Sequence, residues 1–390
     1  MTDLFTSSTE VDASRKIIRD WIDEACAWST FKMGSLPGEY TSWLGAYEWE
    51  IHRSSFQKCM RRGLPELALY HFQKMAEVED YTKAFGVLAL VAGEDIGFPA
   101  LEMTALSLMM CLKTFRQAIG IDEQIIAKGL IYRLCRSPKN RLGCQLNVFV
   151  DVKGIDQTSI ETPDNKLIAA LADKHLEDQF IGLRMLRKKC RNGNVELLKK
   201  VIRILKDSFL TKSMGLAASI IFERANDDIH FGQVIVTQMM LGGKIAPVTD
   251  VPNSTLVETH MIQNSGGVYT TIPQCALDQH TTIGRSALLR WAKTNGMQEL
   301  FQPFGINNGD IQKALGAITF FRDASLVQPE LGINDDEINK LIVDQELSYT
   351  MSRSGIKGLT EETYSKLSWT VMEDLSTLYD LRQYLWKKDN

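Results

Sequence analysis

The sequence predicts a mainly α-helical protein with a small irregular or β-containing excursion. Hydrophobic residues recur at helical spacing in most segments, and Gly, Pro or acidic residues separate these segments without an alternation of strands and helices. The chain has 390 residues, of which 44% are hydrophobic and 24% charged, so it has enough apolar side chains to pack real cores. We find no internal repeat of fixed period, which argues against a solenoid array.

The predicted helices fall into three groups along the chain. The first group holds the ranges 17–28, 55–60, 65–76, 81–92, 100–118 and 122–135. A charged connector at 151–164 precedes a second block at 166–223. Asp164 is expected to cap the first helix of this block. Paired glycines and Val/Thr-rich runs over 226–273 predict short strands or irregular structure. The last group holds the ranges 284–294, 310–321, 335–349 and 360–387.

Composition divides the chain into four expected regions. These are an N-terminal helical and aromatic segment (1–52), a helical array (53–150), a basic helical block (151–225), and a mixed and then helical region with an acidic tail (226–390). The aromatic run Trp43, Tyr47 and Trp49 in the first region is typical of a core or subunit interface, and it also suits stacking on nucleic-acid bases.

Charge is segregated along the chain although the net charge is only -4. Residues 53–224 hold 27 Lys and Arg against 19 Asp and Glu, and residues 184–224 alone hold 11 against 3. Such asymmetry indicates a surface that binds a polyanion. The alternative is an ordinary helix face that is exposed to solvent and binds nothing. The candidate nucleic-acid contacts are Arg184, Arg187, Lys188, Lys189, Arg191, Lys199, Lys200, Arg203 and Lys206. A second group, Arg133, Arg136, Lys139 and Arg141, would extend this surface.

A dense polar cluster lies at residues 276–293. Thr281 or Thr282 is expected to cap the helix that follows, with Asp278 and His280 bonded to nearby backbone. Two other interpretations stay open. His280, Thr281 and Arg285 could bind a phosphate at this helix N-terminus, and Asp278 with His280 could bind a metal ion or act as an acid–base pair.

Several classes of protein find no support in the sequence. Residues 1–14 lack the pattern of a signal peptide, and no apolar stretch approaches the roughly 20 residues that cross a bilayer. The seven cysteines are scattered and never form a CxxC pair, which favours a reducing compartment. Gly242, Gly243 and Lys244 lack the spacing of a phosphate-binding loop. We therefore expect a cytoplasmic protein that is not an enzyme and carries no cofactor and no metal.

One segment carries a family resemblance. Residues 54–97 contain an Arg-Gly turn, an Ala-Leu-Tyr helix that ends near a Met, and a helix that closes on Glu-Asp-Ile-Gly; the positions are Arg62, Gly63, Ala68, Leu69, Tyr70, Met75, Ala92, Glu94, Asp95, Ile96 and Gly97. This order resembles the C-terminal helical domain, or collar, of clamp-loader-like ATPases of the RarA or MgsA type. Gly63 is expected to permit a tight turn and Gly97 to end a helix. Glu94 and Asp95 are expected to pair with Arg61, Arg62 or neighbouring helix ends.

The resemblance implies a collar that assembles as an oligomer, typically a tetramer, and acts at replication forks and single-strand gaps. Because only residues 1–53 precede the segment, we expect no ATPase module upstream, and the chain suits a bacteriophage accessory protein. The sequence thus predicts a non-enzymatic, homo-oligomeric protein that binds DNA, preferably single-stranded, in replication, recombination or transcription. Two alternatives remain: a scaffold that binds a polymerase or helicase without touching nucleic acid, and a metal-dependent hydrolase using Asp278 and His280.

Overall fold

The chain is mainly helical in the part that the computed structural model describes, which confirms the predicted class in its coarse form. That part comprises residues 8–32, 47–96, 100–139, 141, 143–144, 163–170, 182, 185–186, 188–189, 195–208, 211–225, 230, 234, 245–246, 260–324, 332–333 and 336–389. Within it no helix is long and apolar enough to cross a membrane.

Sixteen α-helices and four short strands make up these residues. The helices are α1 (Ser8–Ser29), α2 (Glu48–Arg61), α3 (Pro65–Val78), α4 (Tyr81–Asp95), α5 (Leu101–Met110), α6 (Lys113–Ile119), α7 (Glu123–Cys135), α8 (Asp164–Ala170), α9 (Val195–Ser208), α10 (Lys212–Arg224), α11 (Thr282–Ala292), α12 (Asn295–Phe301), α13 (Asn308–Thr319), α14 (Asp336–Ser354), α15 (Glu361–Glu373) and α16 (Leu375–Asp389). The strands are β1 (Ile245–Ala246), β2 (Met261–Gln263), β3 (Tyr269–Pro273) and β4 (Gly332–Ile333).

The chain forms two compact units, and each unit is assembled from three separate segments. The first unit comprises Met1–Lys32, Tyr81–Val251 and Gln328–Asp336, and the second comprises Met33–Asp80, Pro252–Val327 and Glu337–Asn390. These divisions do not coincide with the boundaries expected after residues 52, 150 and 225. The collar-like segment 54–97 is itself shared, because α2 and α3 belong to the second unit and α4 to the first.

The first unit is built around α5, a helix that is apolar on nearly every side. All of its side chains except the half-buried Glu102 are buried, and α1, α4, α7 and α10 pack against it. A helix without a polar face has to be enclosed by others. Strands β1 and β4 of this unit pair antiparallel.

The prediction of one helix over 100–118 is wrong. The chain breaks at Leu112, whose backbone is extended (φ -88, ψ 113). Arg116 of α6 turns back across this break, and its guanidinium donates to the Met110 carbonyl at 2.6 Å and binds the Glu123 carboxylate at 2.5 Å. The break is therefore stabilised by a buried arginine that satisfies a carbonyl at the end of α5.

In the second unit α11 is the central helix, packed against α13 and α16. The expected helix over 360–387 is two helices, α15 and α16, which meet at Asp374. The Asp374 carboxylate accepts from the indole nitrogen of Trp291 at 2.7 Å and from the Thr377 hydroxyl at 2.5 Å. After α13 the chain continues as a π-helical turn, Phe320–Ala324.

Two turns follow the sequence-based expectations. The excursion before α11 contains the antiparallel pair β2 and β3, joined through Gly267 with φ +79. Gly63 lies between α2 and α3 with φ +65, a conformation that costs glycine little.

All six cysteines that the structure describes are free thiols, and four of them are buried. Gly97 and Cys190 lie outside the described residues.

Replacing Gly129 with Ala should destabilise the first unit, because α1 crosses α7 at this glycine. A Cβ atom at residue 129 would lie 1.7 Å from the Ala25 carbonyl oxygen, so the two helices would have to separate. We expect a loss of about 1–3 kcal/mol in the free energy of unfolding, measured by urea denaturation.

Gly86→Ala in α4 of the same unit is the matched control, because no atom of the described residues lies within 4 Å of a Cβ added there. This substitution should stabilise the helix by about 0.5–1 kcal/mol. Equal effects at the two glycines would contradict the close approach at Gly129.

Candidate functional site

Helix α9 carries the part of the basic stretch that the structure describes most fully. Its buried side chains face α10, its neighbour in the first unit, whereas Lys199, Lys200 and Arg203 are exposed together and Lys206 is half-buried. The exposed face also holds Glu196 and Asp207, so its charge is mixed. The Lys199 ammonium lies 3.1 Å from the Glu196 carboxylate.

The remaining predicted contacts of this stretch divide between described and undescribed residues. Lys188 is exposed. Lys189 is half-buried, and its ammonium binds the Asp164 carboxylate at 2.9 Å. Asp164, expected as a helix cap, is the first residue of α8. Arg184, Arg187 and Arg191 lie outside the described residues.

The second basic group does not form a cationic surface. The buried Lys139 ammonium donates to the main-chain oxygens of Leu134, Cys135 and Ser137 at 2.6–3.1 Å, and so neutralises the C-terminal end of α7. Arg133 binds Glu24 at 2.9 Å. Of these four described residues, only Arg136 is exposed.

Arg141, the last member of that group, explains the acidic pair at the end of α4. Its guanidinium binds the buried Asp95 carboxylate and lies 3.4 Å from Glu94. Arg141 was not among the partners expected from the sequence, and the expected candidates Arg61 and Arg62 donate to the main-chain oxygens of Ala324 and Asp323. The acidic pair is a structural ion-pair site in the first unit.

In the second unit, Asp278 is the carboxylate of a buried ion pair. The Lys58 ammonium of α2 lies 2.5 Å from Asp278 Oδ2, and both side chains are 1% exposed. Burial by itself would raise the pKa of Asp278, but the adjacent Lys58 and His280 hold that pKa below its ordinary value. Asp278 therefore stays ionised and is held in place.

The segment before α11 is a helix entrance, as predicted. The Thr281 hydroxyl accepts from the Gly284 amide at 3.1 Å and caps α11, and Asp278 Oδ1 accepts from the His280 amide at 2.9 Å. The Thr282 amide donates to the Glu50 carboxylate, which also lies 3.9 Å from the Arg285 guanidinium. A carboxylate thus stands where the sequence allowed a phosphate.

His280 and Arg285 belong to the second unit, whereas Lys199, Lys200 and Arg203 belong to the first. The half-exposed His280 ring lies 3.3 Å from Asp278 Oδ2 and packs edge-on against Phe320. Among the residues that the structure describes, no group of three His, Cys, Asp or Glu side chains could hold a metal ion.

The predicted aromatic run is only partly described. Tyr47 is exposed and Trp49 half-buried at the start of α2, and Trp43 lies outside the described residues.

A buried histidine pair joins α2 to α3, and the sequence patterns did not predict it. His52 Nδ1 and His71 Nδ1 are 2.9 Å apart, and His71 Nε2 lies 3.0 Å from the Thr271 carbonyl oxygen. Because a carbonyl only accepts, His71 Nε2 carries the proton, and His52 Nδ1 donates to His71 Nδ1. Burial lowers the pKa of His52 to about 3 and that of His71 to about 4, so both rings are neutral.

The sequence does contain a signal that Lys58 is buried, namely its position on helix α2. Lys58 stands seven residues after Ile51 and four after Ser54, and both of those side chains are buried in α2. A lysine on the buried face of a helix requires a buried acidic partner. The partner, Asp278, is 220 residues away in the sequence, so no local pattern identifies it.

Known proteins supply no further assignment, because no protein family, curated protein or solved structure matches this chain.

Replacing Lys58 with Met should strongly destabilise the second unit, because it leaves the Asp278 carboxylate buried without its partner. We expect a loss of about 3–5 kcal/mol in the free energy of unfolding, measured by urea denaturation. The double variant Lys58→Met, Asp278→Asn should regain part of this loss.

The exposed pair of Lys313 with Asp310, at 3.0 Å, is the matched control. Lys313→Met should change stability by less than about 0.5 kcal/mol. Similar losses at Lys58 and Lys313 would contradict the buried pairing.

The histidine pair should make the protein less stable as the pH falls from 7 to 5. Both folded-state pKa values, about 3 and about 4, lie below the ordinary value, so the unfolded chain binds more protons in this window. The contribution of the two neutral histidines to the free energy of unfolding is complete above pH ~6.5. Below that pH it falls by about 1.4 kcal/mol per pH unit for each histidine. Urea denaturation at a series of pH values measures this slope.

The double variant His52→Gln, His71→Gln should flatten the slope between pH 7 and 5. An unaltered slope in the double variant would show that the pair does not titrate as described.

Proposed function

We propose that the protein is a non-enzymatic nucleic-acid-binding accessory factor that contacts single-stranded or gapped DNA through its first unit. The supporting observation is the exposure of Lys199, Lys200 and Arg203 on one face of α9, whose opposite face is buried. Cations fixed on a packed helix can bind a phosphate backbone without reading its bases.

The composition of this face sets the kind of binding that we expect. Glu196 and Asp207 lie on the same exposed face and would oppose a polyanion. Exposed Lys188 adds a further cation, and Arg184, Arg187 and Arg191 belong to the proposal on sequence grounds. Binding should therefore be independent of base sequence, moderate in affinity and sensitive to salt.

Two sequence-based hypotheses about the α11 entrance do not belong to this proposal. His280 and Arg285 stand beside the carboxylates of Asp278 and Glu50, which would repel a phosphate. The metal-dependent hydrolase required Asp278 and His280 to serve a metal or a substrate. Both Asp278 oxygens are already engaged, by Lys58 and by His280.

The oligomeric collar and a role in replication, recombination or transcription rest on the RarA-like resemblance of residues 54–97. A scaffold without nucleic-acid contact is the second candidate, and an exposed aromatic favours it. Trp369 on α15 is 70% exposed, and aromatic side chains are enriched at protein interfaces relative to the rest of the surface.

The triple variant Lys199→Ala, Lys200→Ala, Arg203→Ala should bind DNA more weakly than the unaltered protein. Gel shifts with single-stranded and duplex DNA over a salt series measure the effect. If all three cations bind phosphates of a single strand, the magnitude of the slope of log K against log salt should fall by about 2, at roughly 0.7 for each phosphate that is no longer neutralised.

A variant with three exposed lysines of the second unit replaced, Lys293→Ala, Lys313→Ala and Lys366→Ala, removes the same charge and should keep the original slope. No binding by the unaltered protein at low salt would refute the nucleic-acid proposal. Oligomers in solution without DNA binding would instead favour the scaffold.

A further inference from the structure

Three segments of the second unit meet at Asp323, in the π-helical turn. Arg382 of α16 donates from Nη1 to Asp323 Oδ2 at 2.9 Å, and the Tyr379 hydroxyl donates to Oδ1 at 2.8 Å. Arg62, which follows α2, donates from Nη2 to the Asp323 main-chain oxygen at 2.8 Å. Asp323 therefore holds two guanidinium groups close to one another.

Both guanidinium groups have donors left over. Arg382 is 0% exposed, yet its Nε and Nη2 atoms find no hydrogen-bond partner among the described residues, and Nη1 of the half-buried Arg62 is likewise buried without one. A buried donor without an acceptor costs about 1–3 kcal/mol, and more when the group is charged. Such groups in folded proteins are explained by a bound water or ion.

The charges that the described residues place around Asp323 do not balance. The Asp323 carboxylate binds Arg382, the guanidinium groups of Arg62 and Arg61 donate to the main-chain oxygens of Asp323 and Ala324, and Lys58 is already paired with Asp278. Cys275 and Tyr379 could supply a negative charge only by ionising. Burial raises the pKa of the Cys275 thiol, and burial together with Asp323 raises that of Tyr379, so both stay neutral. A buried excess of positive charge requires a counter-charge.

We propose that the second unit binds a small oxyanion between Arg62 and Arg382, beside Asp323. A phosphate, sulfate or carboxylate group accepts two parallel N–H bonds from a guanidinium, and the Nε and Nη2 edge of Arg382 offers such a pair. The anion supplies the missing negative charge and the missing acceptors together.

The burial of the two arginines limits the ligand. Arg382 is fully enclosed, and the half-buried Arg62 marks the side open to solvent. A free anion of a few atoms suits this enclosure better than the phosphate of a nucleic-acid chain, which carries a sugar on either side. All residues of the proposed site belong to the second unit, whereas the α9 basic face belongs to the first.

The test is thermal unfolding of the full chain with rising sodium phosphate, sodium sulfate or sodium acetate, each matched to sodium chloride at constant ionic strength. A saturable rise in the unfolding midpoint with any of the three supports the site. The salt with the largest effect identifies the anion as phosphoryl-like or carboxylate. Three salts that act no more strongly than chloride would overturn the proposal.

Arg62→Gln removes one charge and the solvent-side donor and should weaken binding of the effective anion by roughly tenfold or more. Arg353→Gln, at an exposed arginine of the same unit, should leave binding unchanged. Arg382→Lys keeps the charge but loses the planar donor pair and should also weaken binding; if this variant does not fold, Arg62→Gln decides. An anion effect that persists unaltered in Arg62→Gln would place the binding elsewhere and refute the assignment.

Discussion

The second unit depends on buried charge pairs that join distant parts of the chain. The bond from Lys58 to Asp278 connects α2 to the entrance of α11, and the bonds from Arg62 and Arg382 to Asp323 connect α2 and α16 to the π-helical turn. Lys58 and Arg61 also lie over the Phe320 ring, at 6.0 and 5.6 Å. Because each of these buried ions has to meet its own partner, the pairs constrain which segments of the unit can pack together.

Sequence periodicity predicted where helices exist but not where two of them break. The ranges around α3, α4 and α7 were close to the observed ones because local signals, such as Pro65 at the start of α3 and Asp122 before α7, set those ends. The break at Leu112 carries no comparable signal, whereas Asp374 before α16 is the same residue type as Asp122 before α7. The two breaks are stabilised by Arg116, which donates to the Met110 carbonyl six residues earlier, and by Trp291, which is 83 residues from Asp374. Hydrophobic periodicity records neither contact, and the second one lies outside any local window.

Counting charges along the chain identified basic regions but not which cations face solvent. Lys199, Lys200 and Arg203 are exposed as the amphipathic pattern of α9 implies. Lys139 and Arg141 look equally basic in the sequence, yet one binds main-chain oxygens and the other binds Asp95. The helix cap at Thr281 was predictable because its signal is local, whereas Glu50 occupies the same helix end from 232 residues away.

The interleaving of the two units has a consequence for synthesis on the ribosome. The second unit needs α16, the last helix described, because Trp386 and Arg382 are buried in it and Asp323 lacks its partner until α16 arrives. During most of translation, the early helices α2 and α3 therefore lack the later segments that cover their apolar faces. The Lys58 ammonium likewise lacks its carboxylate partner. Chains that expose such surfaces before completion are prone to association and are common clients of chaperones. We expect the nascent chain to depend on such protection more than the finished fold does.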